Sequence, residues 1–254
     1  MICTIPAAGR GCSHHPKESQ VPYDFPSIVI LTGAGISAES GLQTFRGDTG
    51  LWEDHRVEDV ATVQGFHRNP SLVYEFYNAR RRQLQDVTPN GAHDALAQLE
   101  AEYPGSVTLI TQNIDDLHER AGSQNVVHMH GQASSALCSH CGARCSWKGD
   151  MKESSLCSHC QRAGGLRPDI VWFGEIPYEM ERIEKALEAC GIFVSIGTSG
   201  NVYPAAGFVN LARQVGAHRV ELNLEATSGG AFDEGHYGLA TQVVPSWVKK
   251  VLSR

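Results

Sequence analysis

Four cysteines in two close pairs give the strongest chemical signal in this sequence. Two residues separate Cys138 from Cys141, and two separate Cys157 from Cys160, with 15 residues between the pairs. Two such thiolate pairs can complete a tetrahedral zinc site that is closed to water and therefore structural. Cys145 could replace Cys141 as a ligand, although the symmetry of the two CSHC units favours the first four. The spacing thus predicts a zinc module.

A glycine turn that follows an apolar run could bind phosphate. Residues 33–38, GAGISA, fit the pattern G-x-G-x-x-A directly after the run IVILT. Glycines there permit a tight turn and a close approach of the backbone to a pyrophosphate at a helix N-terminus, although an ordinary strand-to-helix turn fits as well. No acidic residue closes a second strand about 20 residues later, as it does in dehydrogenases. We therefore predict a bound dinucleotide but not an ordinary hydride-transfer enzyme.

An arginine lies on the apolar side of a predicted helix. At helical spacing Arg80 shares one stripe with Phe76 and Tyr77. Arg81 and Arg82 point away from that stripe, and we expect them to be solvated. Because a guanidinium on a buried face is costly without an anion, either a nearby Asp or Glu or a ligand should supply one.

The segments that must position these residues alternate between short apolar runs and helical patterns. The predicted strands are the run that opens residues 27–41, and 107–111, 126–130, 170–173, 192–197 and 219–223. The predicted helices are 70–85, 91–102, 178–190 and 205–215. The runs are β-branched and bounded by turn signals, as in parallel strands buried on both faces. The alternation predicts an α/β fold with a Rossmann-like, doubly wound parallel sheet.

Three segments depart from this alternation. Residues 1–26 are interrupted by prolines and glycines and are predicted to be a flexible tail, which leaves 27–254 as one domain. Residues 48–87 are predicted to be helical, whereas 132–167 are rich in Cys, Ser and Gly and look too irregular to supply a sheet strand. We interpret both as insertions that together could form a smaller lobe over the carboxyl edge of the sheet.

The overall composition excludes some functional classes. The chain of 254 residues carries 21 Lys and Arg against 28 Asp and Glu, a net charge of −7, which argues against a general nucleic-acid or membrane-surface binder. This balance also disfavours a zinc-ribbon nucleic-acid protein, the alternative from a different class. The N-terminus lacks the charged and apolar regions of a secretory signal, and no apolar run approaches the roughly 20 residues of a membrane span. We expect a cytoplasmic monomer.

Several motifs occur in the order found in sirtuins, the NAD-dependent protein-lysine deacylases. They are GAGISAESGLQTFRG (33–47), TQNID (111–115), HMHG (128–131), the four-cysteine module, IVWFGE (170–175), GTS (197–199) and NLE (223–225). The resemblance covers about residues 25–250 and is strongest to the bacterial class III branch, which is similar to the mitochondrial lysine desuccinylase. It implies that NAD binds at the carboxyl edge of the sheet, between a Rossmann lobe and the zinc-bearing lobe.

The resemblance implies a long NAD site. The residues implied to contact NAD are Gly33, Ala34, Gly35, Ser37, Ala38, Glu39, Thr44, Phe45, Arg46, Trp52, Gln112, Asn113, Ile114, Asp115, Gly197, Thr198, Ser199, Asn223, Leu224, Glu225 and Ala240. Asp115 would bind the nicotinamide carboxamide, and Phe45 with Arg46 would close over the nicotinamide and phosphates. Asn113 or Asp115 could instead cap the following helix.

His130 is implied to be the catalytic base, with Asn113 ordering the ribose and a nearby water. In sirtuins the acyl oxygen of acyl-lysine attacks C1′ of the nicotinamide ribose and releases nicotinamide. His130 would then take a proton from the ribose hydroxyls, and water would complete the release of free lysine and 2′-O-acyl-ADP-ribose. His128 is expected to be packed or hydrogen-bonded. An alternative enzyme would use the same NAD site to transfer ADP-ribose to protein.

The resemblance also implies a site for acylated lysine in a protein or peptide. Val171, Phe173 and Glu175 would form one side of a peptide cleft, with Val202 and Tyr203 on the other. Tyr77 and Arg80 match the Tyr-x-x-Arg pair that recognises the distal carboxylate of succinyl- or malonyl-lysine. Ala61 matches the small residue that leaves room for the longer acyl chain. The implied activity is removal of succinyl, malonyl and acetyl groups.

Overall fold

A computed structural model of the protein describes residues 25–43, 51–52 and 55–253. Within these residues the strands, in chain order, are β1 (Ile28–Thr32), β2 (Leu51–Trp52), β3 (His55–Arg56), β4 (Val107–Thr111), β5 (Val126–His128), β6 (Gly131–Cys138), β7 (Arg144–Ser146), β8 (Leu166–Ile170), β9 (Ile192–Ile196), β10 (His218–Asn223) and β11 (Glu234–Tyr237). The α-helices are α1 (Val57–Val60), α2 (Val63–Arg68), α3 (Pro70–Asp86), α4 (Gly91–Glu102), α5 (Leu117–Ala121), α6 (Met180–Glu188), α7 (Phe208–Gln214) and α8 (Ala240–Leu252). Ala34–Ser40 and Ala205–Gly207 are 3-10 helices.

One parallel sheet organises the molecule, with strand order β11-β10-β9-β1-β4-β5. The chain winds outward from β1 to β5 and then returns to the other side of β1, so that the winding reverses between β1 and β9. Thr32 at the end of β1 lies beside Thr111 of β4 and Ile196 of β9. Doubly wound sheets bind ligands at the carboxyl ends of their strands, at this switch point. The predicted fold class is confirmed.

The central strand β1 is buried on both faces, as its unbroken apolar sequence predicts. Ile28 and Ile30 join the core that contains side chains of α4 and α8. Val29 and Leu31 point to the opposite face and join the core that contains side chains of α6 and α7. The alternation follows from the two-residue period of a strand, and it places helices on both sides of the sheet.

The two insertions pack against each other. Strands β7, β6 and β8 form an antiparallel sheet in that order, and α3 lies against it. The Tyr74 hydroxyl of α3 donates to the Leu166 carbonyl at 2.6 Å. The Asn78 side chain exchanges two hydrogen bonds with the backbone of Met151, at 2.9 and 2.8 Å. Helix α3 begins at the Asn69 cap, whose side chain accepts from the amide of residue 72 at 3.1 Å.

Two sequence predictions about this region are wrong. Residues 132–167 contain most of the small sheet, and its inward-facing residues are small ones such as Ala133 and Ala136, which give little hydrophobic pattern. Residues 170–173 do not form a strand of the parallel sheet, because Ile170 ends β8 and the chain then turns. A short apolar run does not reveal which sheet it joins.

Among the described residues, no helix is long and apolar enough to cross a bilayer.

Candidate active site

A cavity of about 540 Å³ opens at the carboxyl edge of the parallel sheet, facing the small lobe. Its volume falls in the range of small-molecule sites. The predicted cofactor residues that line it are Gly33, Ala34, Gly35, Ser37, Ala38, Glu39, Gln112, Asn113, Ile114, Asp115, Gly197, Thr198, Ser199, Asn223, Leu224 and Ala240. His130 lines the same cavity, as do Ala61, Tyr77, Arg80, Val171, Phe173, Glu175, Val202 and Tyr203. The structure thus gathers residues from distant segments at the switch point.

The glycines after β1 allow two loops to cross at very short distance. The amides of Gly33 and Gly35 donate to the carbonyls of Ile196 and Gly197, at 2.9 and 2.8 Å. A Cβ on Gly35 would lie 2.7 Å from the Cα of Gly197, closer than any real contact. These glycines are therefore required for the crossing itself, and their two amides are already bonded within the protein.

Side chains at the ends of two strands, Gln112 after β4 and Asn223 in β10, hold the loop after β9. The side-chain amide of Gln112 donates to the Thr198 hydroxyl at 3.2 Å, and the side-chain amide of Asn223 donates to the Thr198 carbonyl at 3.0 Å. The loop therefore has a fixed position beside the glycine crossing. A polar ligand in the crevice would meet an ordered wall rather than a flexible one.

His130 presents a nitrogen suited to accept a proton. Its Nδ1 lies 3.1 Å from the backbone carbonyl of Gln112, which can only accept, so Nδ1 carries the hydrogen. In the neutral ring Nε2 is then the basic nitrogen. Burial lowers the pKa of His130, which keeps the ring neutral at pH 7. The ring can therefore accept a proton at the cavity wall.

His128 has a different environment from His130. Its Nε2 lies 2.5 Å from a carboxylate oxygen of Glu119, and its Nδ1 lies 3.4 Å from the carbonyl of Asn113. Both nitrogens are therefore engaged within the protein. The prediction that His128 is a hydrogen-bonded structural residue is confirmed.

A chain of hydrogen bonds leads from a buried histidine to Asp115. The amide of Asn90 donates to Nδ1 of His93 at 3.2 Å, so the neutral ring carries its proton on Nε2. That nitrogen lies 3.4 Å from the Ser37 hydroxyl, which also accepts from the Asn113 side chain at 3.1 Å. Ser37 in turn donates to Asp115 at 3.1 Å. The hydrogen bond from Ser37, which itself contacts Asn113 and the buried His93, thus orients the Asp115 carboxyl.

Asp115 is held at its other oxygen as well. The amide of Leu117 donates to Asp115 at 3.2 Å, so the capping alternative describes part of its role. Only 5% of the surface of Asp115 is exposed to solvent. Burial raises the pKa of Asp115, while its hydrogen bonds act in the opposite direction. A buried carboxyl with fixed donors can orient an amide group of a ligand.

Two buried histidines behind the cavity are absent from the predicted site. The rings of His93 and His118 meet edge to face with centroids 5.0 Å apart, and Nε2 of His118 lies 3.0 Å from the Thr32 hydroxyl. Burial lowers the pKa of His93 to about 4 and that of His118 to about 3, so both are neutral at pH 7. The spacing from Asn90 to His93 fits a capping box and could have identified His93.

Tyr77, Arg80 and Ala61 also line the cavity, and Tyr77 and Ala61 belong to one buried cluster. Tyr77 is fully buried and accepts a hydrogen bond from the indole of Trp172 at 3.0 Å. The Arg80 guanidinium carbon lies 5.3 Å from the ring centroid of Phe76. A phenol, a guanidinium and a small residue thus line one wall.

The expectation for Arg81 is wrong, whereas that for Arg82 is confirmed. Arg81 is only 5% exposed and donates to the Asn78 side chain, and burial lowers its pKa to about 10. It lies on a second buried stripe of α3, with Tyr74, which faces the small sheet. Arg82 is exposed and pairs with Asp150 at 2.5 Å. A single apolar stripe in the sequence does not reveal that a second side of the helix is also buried.

Some predicted residues have other surroundings. Glu225 is exposed and is not among the residues that line the cavity. Glu39 accepts two hydrogen bonds from Thr241 at the start of α8, at 2.9 and 2.7 Å. Trp52 lies in β2. Thr44, Phe45 and Arg46 fall outside the described residues.

The four predicted cysteines form one cluster. The sulfurs of Cys138, Cys141, Cys157 and Cys160 all lie within 4.8 Å of one another, and the 138–160 and 141–157 pairs are 3.8 Å apart. A tetrahedral ion with Zn–S bonds of about 2.3 Å requires sulfurs about 3.8 Å apart. The cluster therefore fits zinc. Cys145 lies outside it, with its sulfur 3.8 Å from the carbonyl of Ala136.

Known proteins share both the sequence and the fold. The chain is 57% identical over 240 residues to an NAD-dependent protein deacylase of Yersinia pseudotuberculosis, covering 93% of this chain and 85% of that protein. A crystal structure of a Sir2 homolog–NAD complex has a TM-score of 0.81 at 38% identity and covers 89% of this chain and 90% of that one. A structure of Sir2 bound to acetylated peptide has a TM-score of 0.74 at 27% identity, with 89% and 92% covered.

The family assignment follows from these matches together with the site. The Sir2 family model matches residues 33–204, which include the glycine crossing, His130 and all four clustered cysteines. This match spans more than half of the chain and agrees with the resemblance identified from the motifs. The chain belongs to the Sir2 family, the sirtuins.

Proposed function

We propose that this protein is an NAD-dependent protein-lysine deacylase that removes succinyl, malonyl and acetyl groups. The observation that carries the proposal is the position of His130, whose ring lines the same cavity as the glycine crossing and the Tyr77–Arg80 wall and has its Nδ1 hydrogen bound to a backbone carbonyl. The name of the Yersinia relative supports the general activity. The acyl preference rests on the residues of this chain.

NAD would lie along the carboxyl edge of the sheet. The loop fixed by Gln112 and Asn223 would hold its phosphates and adenosine ribose, and Asp115 would orient the nicotinamide carboxamide. Bound NAD supplies the ADP-ribose that accepts the acyl group as nicotinamide departs. The neutral His130 would accept the proton that a ribose hydroxyl releases when it attacks the acyl carbon. With one water consumed, the expected products are nicotinamide, free lysine and 2′-O-acyl-ADP-ribose.

The acyl end of lysine would point towards Tyr77 and Arg80. These residues lie one turn apart on α3, so they share a helix face. A carboxylate placed there would receive a charge-assisted hydrogen bond from the guanidinium and a second hydrogen bond from the phenol. Ala61 is 3% exposed and lines the same cavity, where a larger side chain would reduce the room for a longer acyl chain. An acetyl group would fit but has no carboxylate for the Arg80 guanidinium to bind.

The decisive measurement is kcat/KM on matched acetyl- and succinyl-lysine peptides for the wild type and for Arg80→Met. We expect the substitution to lower desuccinylation by roughly a hundredfold, the equivalent of about 3 kcal/mol for a charged hydrogen-bond partner, and to leave most of the deacetylation. Arg82→Met is the matched control, because Arg82 carries the same charge on the exposed side of the helix. Its two activities should stay close to those of the wild type.

Three results would contradict the proposal. An equal loss of both activities in Arg80→Met would show that Arg80 does not read the acyl group. A wild type that deacetylates but leaves succinyl-lysine intact would remove the acyl preference. Label from NAD that accumulates on protein, without release of free lysine, would support an ADP-ribosyltransferase instead.

A further inference from the structure

A tight turn, residues 172–175, lies beside the proposed acyl site. The amide of Glu175 donates to the Trp172 carbonyl at 2.9 Å, and Gly174 has φ of +90°, which fits the third position of a type II turn. The Glu175 carboxylate closes the turn by accepting from the Trp172 amide at 2.8 Å. The turn is therefore fixed by both backbone and side chain.

Arg167 clamps this turn from the last strand of the small sheet. Its guanidinium binds the Glu175 carboxylate with two hydrogen bonds, at 2.7 and 2.8 Å. Its central carbon also lies 3.5 Å from the ring centroid of Trp172, which is 2% exposed. The planar cation thus stacks on the indole while it holds the turn. The indole has little freedom to rotate.

The clamped turn contacts two of the three proposed acyl-site residues. The Trp172 indole donates to the Tyr77 hydroxyl at 3.0 Å, across 95 positions of sequence. The amide of Phe173 donates to the carbonyl of Ala61 at 3.0 Å. The turn therefore connects to the phenol through a side chain and to the small residue through the backbone.

The direction of the indole hydrogen bond determines how the phenol can act. An indole N–H only donates, so the Tyr77 oxygen must accept, and its own proton has to point away from Trp172. Burial raises the pKa of Tyr77, so the hydroxyl remains protonated and can donate. An anionic acyl group needs a donor, not a second acceptor.

We infer that Trp172 is a positioning residue for acyl-group recognition, which fixes the Tyr77 hydroxyl as a donor to the carboxylate of succinyl- or malonyl-lysine. The Arg167–Glu175 pair holds the indole in place for this role. The inference rests on the proposed function. It adds a residue that acts through Tyr77 and does not contact the substrate carboxylate itself.

The test uses Trp172→Phe, which keeps an aromatic ring and removes the N–H. We expect kcat/KM for desuccinylation to fall roughly five- to tenfold, mainly through KM, because one neutral hydrogen bond is lost. Deacetylation should fall by less than about twofold. Trp147→Phe is the matched control, since the Trp147 indole nitrogen has no hydrogen-bond partner in the described part of the chain. Both of its activities should match the wild type.

A double-mutant cycle with Tyr77→Phe separates positioning from an independent effect. If Trp172 acts through the phenol, the double variant should lose no more desuccinylation than Tyr77→Phe alone. Losses that multiply would overturn the inference, as would an unchanged Trp172→Phe enzyme or equal losses on both peptides. If Trp172→Phe does not fold, benzothienylalanine at position 172 keeps the bicyclic shape without the N–H and is read in the same way.

The wild-type rates distinguish failure of the proposed acyl preference from failure of the role of Trp172. A wild type that does not remove succinyl groups overturns the proposed acyl preference and this inference together. If the wild type removes succinyl groups and Trp172→Phe removes them at the same rate, only the role of Trp172 is overturned. Loss confined to the succinyl peptide, with no further loss in the double variant, supports both.

Discussion

At the scale of single residues, His130 owes its chemistry to the backbone carbonyl of Gln112. That carbonyl selects the tautomer, and partial burial favours the neutral ring, so the same ring is both oriented and basic. His128, two residues earlier, binds a carboxylate instead. The two histidines therefore differ in what their nitrogens can do, because their neighbours differ.

The protonation of His130 gives a prediction for the pH dependence of the reaction. A general base must be unprotonated, so kcat/KM should be constant at neutral pH and fall as the pH drops through the pKa of His130. Because burial lowers that pKa, the midpoint should lie below about 6.5, the ordinary value for histidine. Rates on a succinyl-lysine peptide between pH 4.5 and about 8 would measure it.

His130→Ala provides the control for this profile. It should lose roughly 100-fold or more in kcat, in the range of general-base catalysis, and its remaining rate should lack the acid limb. An acid limb whose midpoint lies above the ordinary histidine value, or one that persists in His130→Ala, would contradict the assignment.

At the scale of elements, the contact between the loops after β1 and β9 depends on the absence of side chains. Gly35→Ala should lower the free energy of unfolding by about 1–3 kcal/mol, because the new Cβ would press on the backbone of Gly197. Thermal or urea unfolding would measure the change. Gly91→Ala at the start of α4 is the matched control, since a Cβ there meets nothing within 4 Å. Similar destabilisation by both would show that the crossing is not the cause.

The sequence predicts the elements whose own composition determines them. The strands β4 and β9 and the helices α3 and α4 lie within about one residue of their predicted bounds, because each has an unbroken apolar run or a clear cap. Strand β8 contains Pro168 and helix α8 contains Pro245, and proline conceals both elements from a pattern analysis. The edge strand β11 is largely polar and was not predicted either.

The sequence predicts the residues of the site only where they belong to a recognisable motif. The zinc ligands follow from spacing, and the other cavity residues follow from the resemblance to the sirtuin motifs. The bond from Trp172 to Tyr77 and the burial of Arg81 depend on how α3 meets the small sheet. No local pattern encodes the packing of two elements so distant in sequence.

At the scale of the whole molecule, the cysteine cluster belongs to a core of its own, which reaches α3 through Tyr74. Cys138 and Cys157 are fully buried and belong to the core of the small lobe, together with Met151 and Leu166. The parallel sheet has two cores of its own, on its opposite faces. Removal of zinc should therefore affect the two parts of the molecule differently.

We predict that stripping zinc with a thiol reagent and a chelator abolishes deacylation while much of the parallel sheet remains folded. Hydrogen exchange should accelerate in β6 to β8 and in residues 172–175, and change little in β1, β4 and β9. Restoring zinc under reducing conditions should recover the activity. A zinc-free protein with normal kcat/KM, or one in which the parallel sheet exchanges as fast as the small lobe, would contradict this division.

The packing of the two insertions also limits how this enzyme can be recombined with its relatives. Tyr77 belongs to the first insertion, whereas Trp172 lies five residues beyond the second, and their hydrogen bond joins α3 to the turn that follows β8. A chimera that receives only residues 48–87 from a relative, or only residues 132–175, separates the phenol from its matching indole. Acyl selectivity should therefore transfer between family members only when both segments are exchanged together.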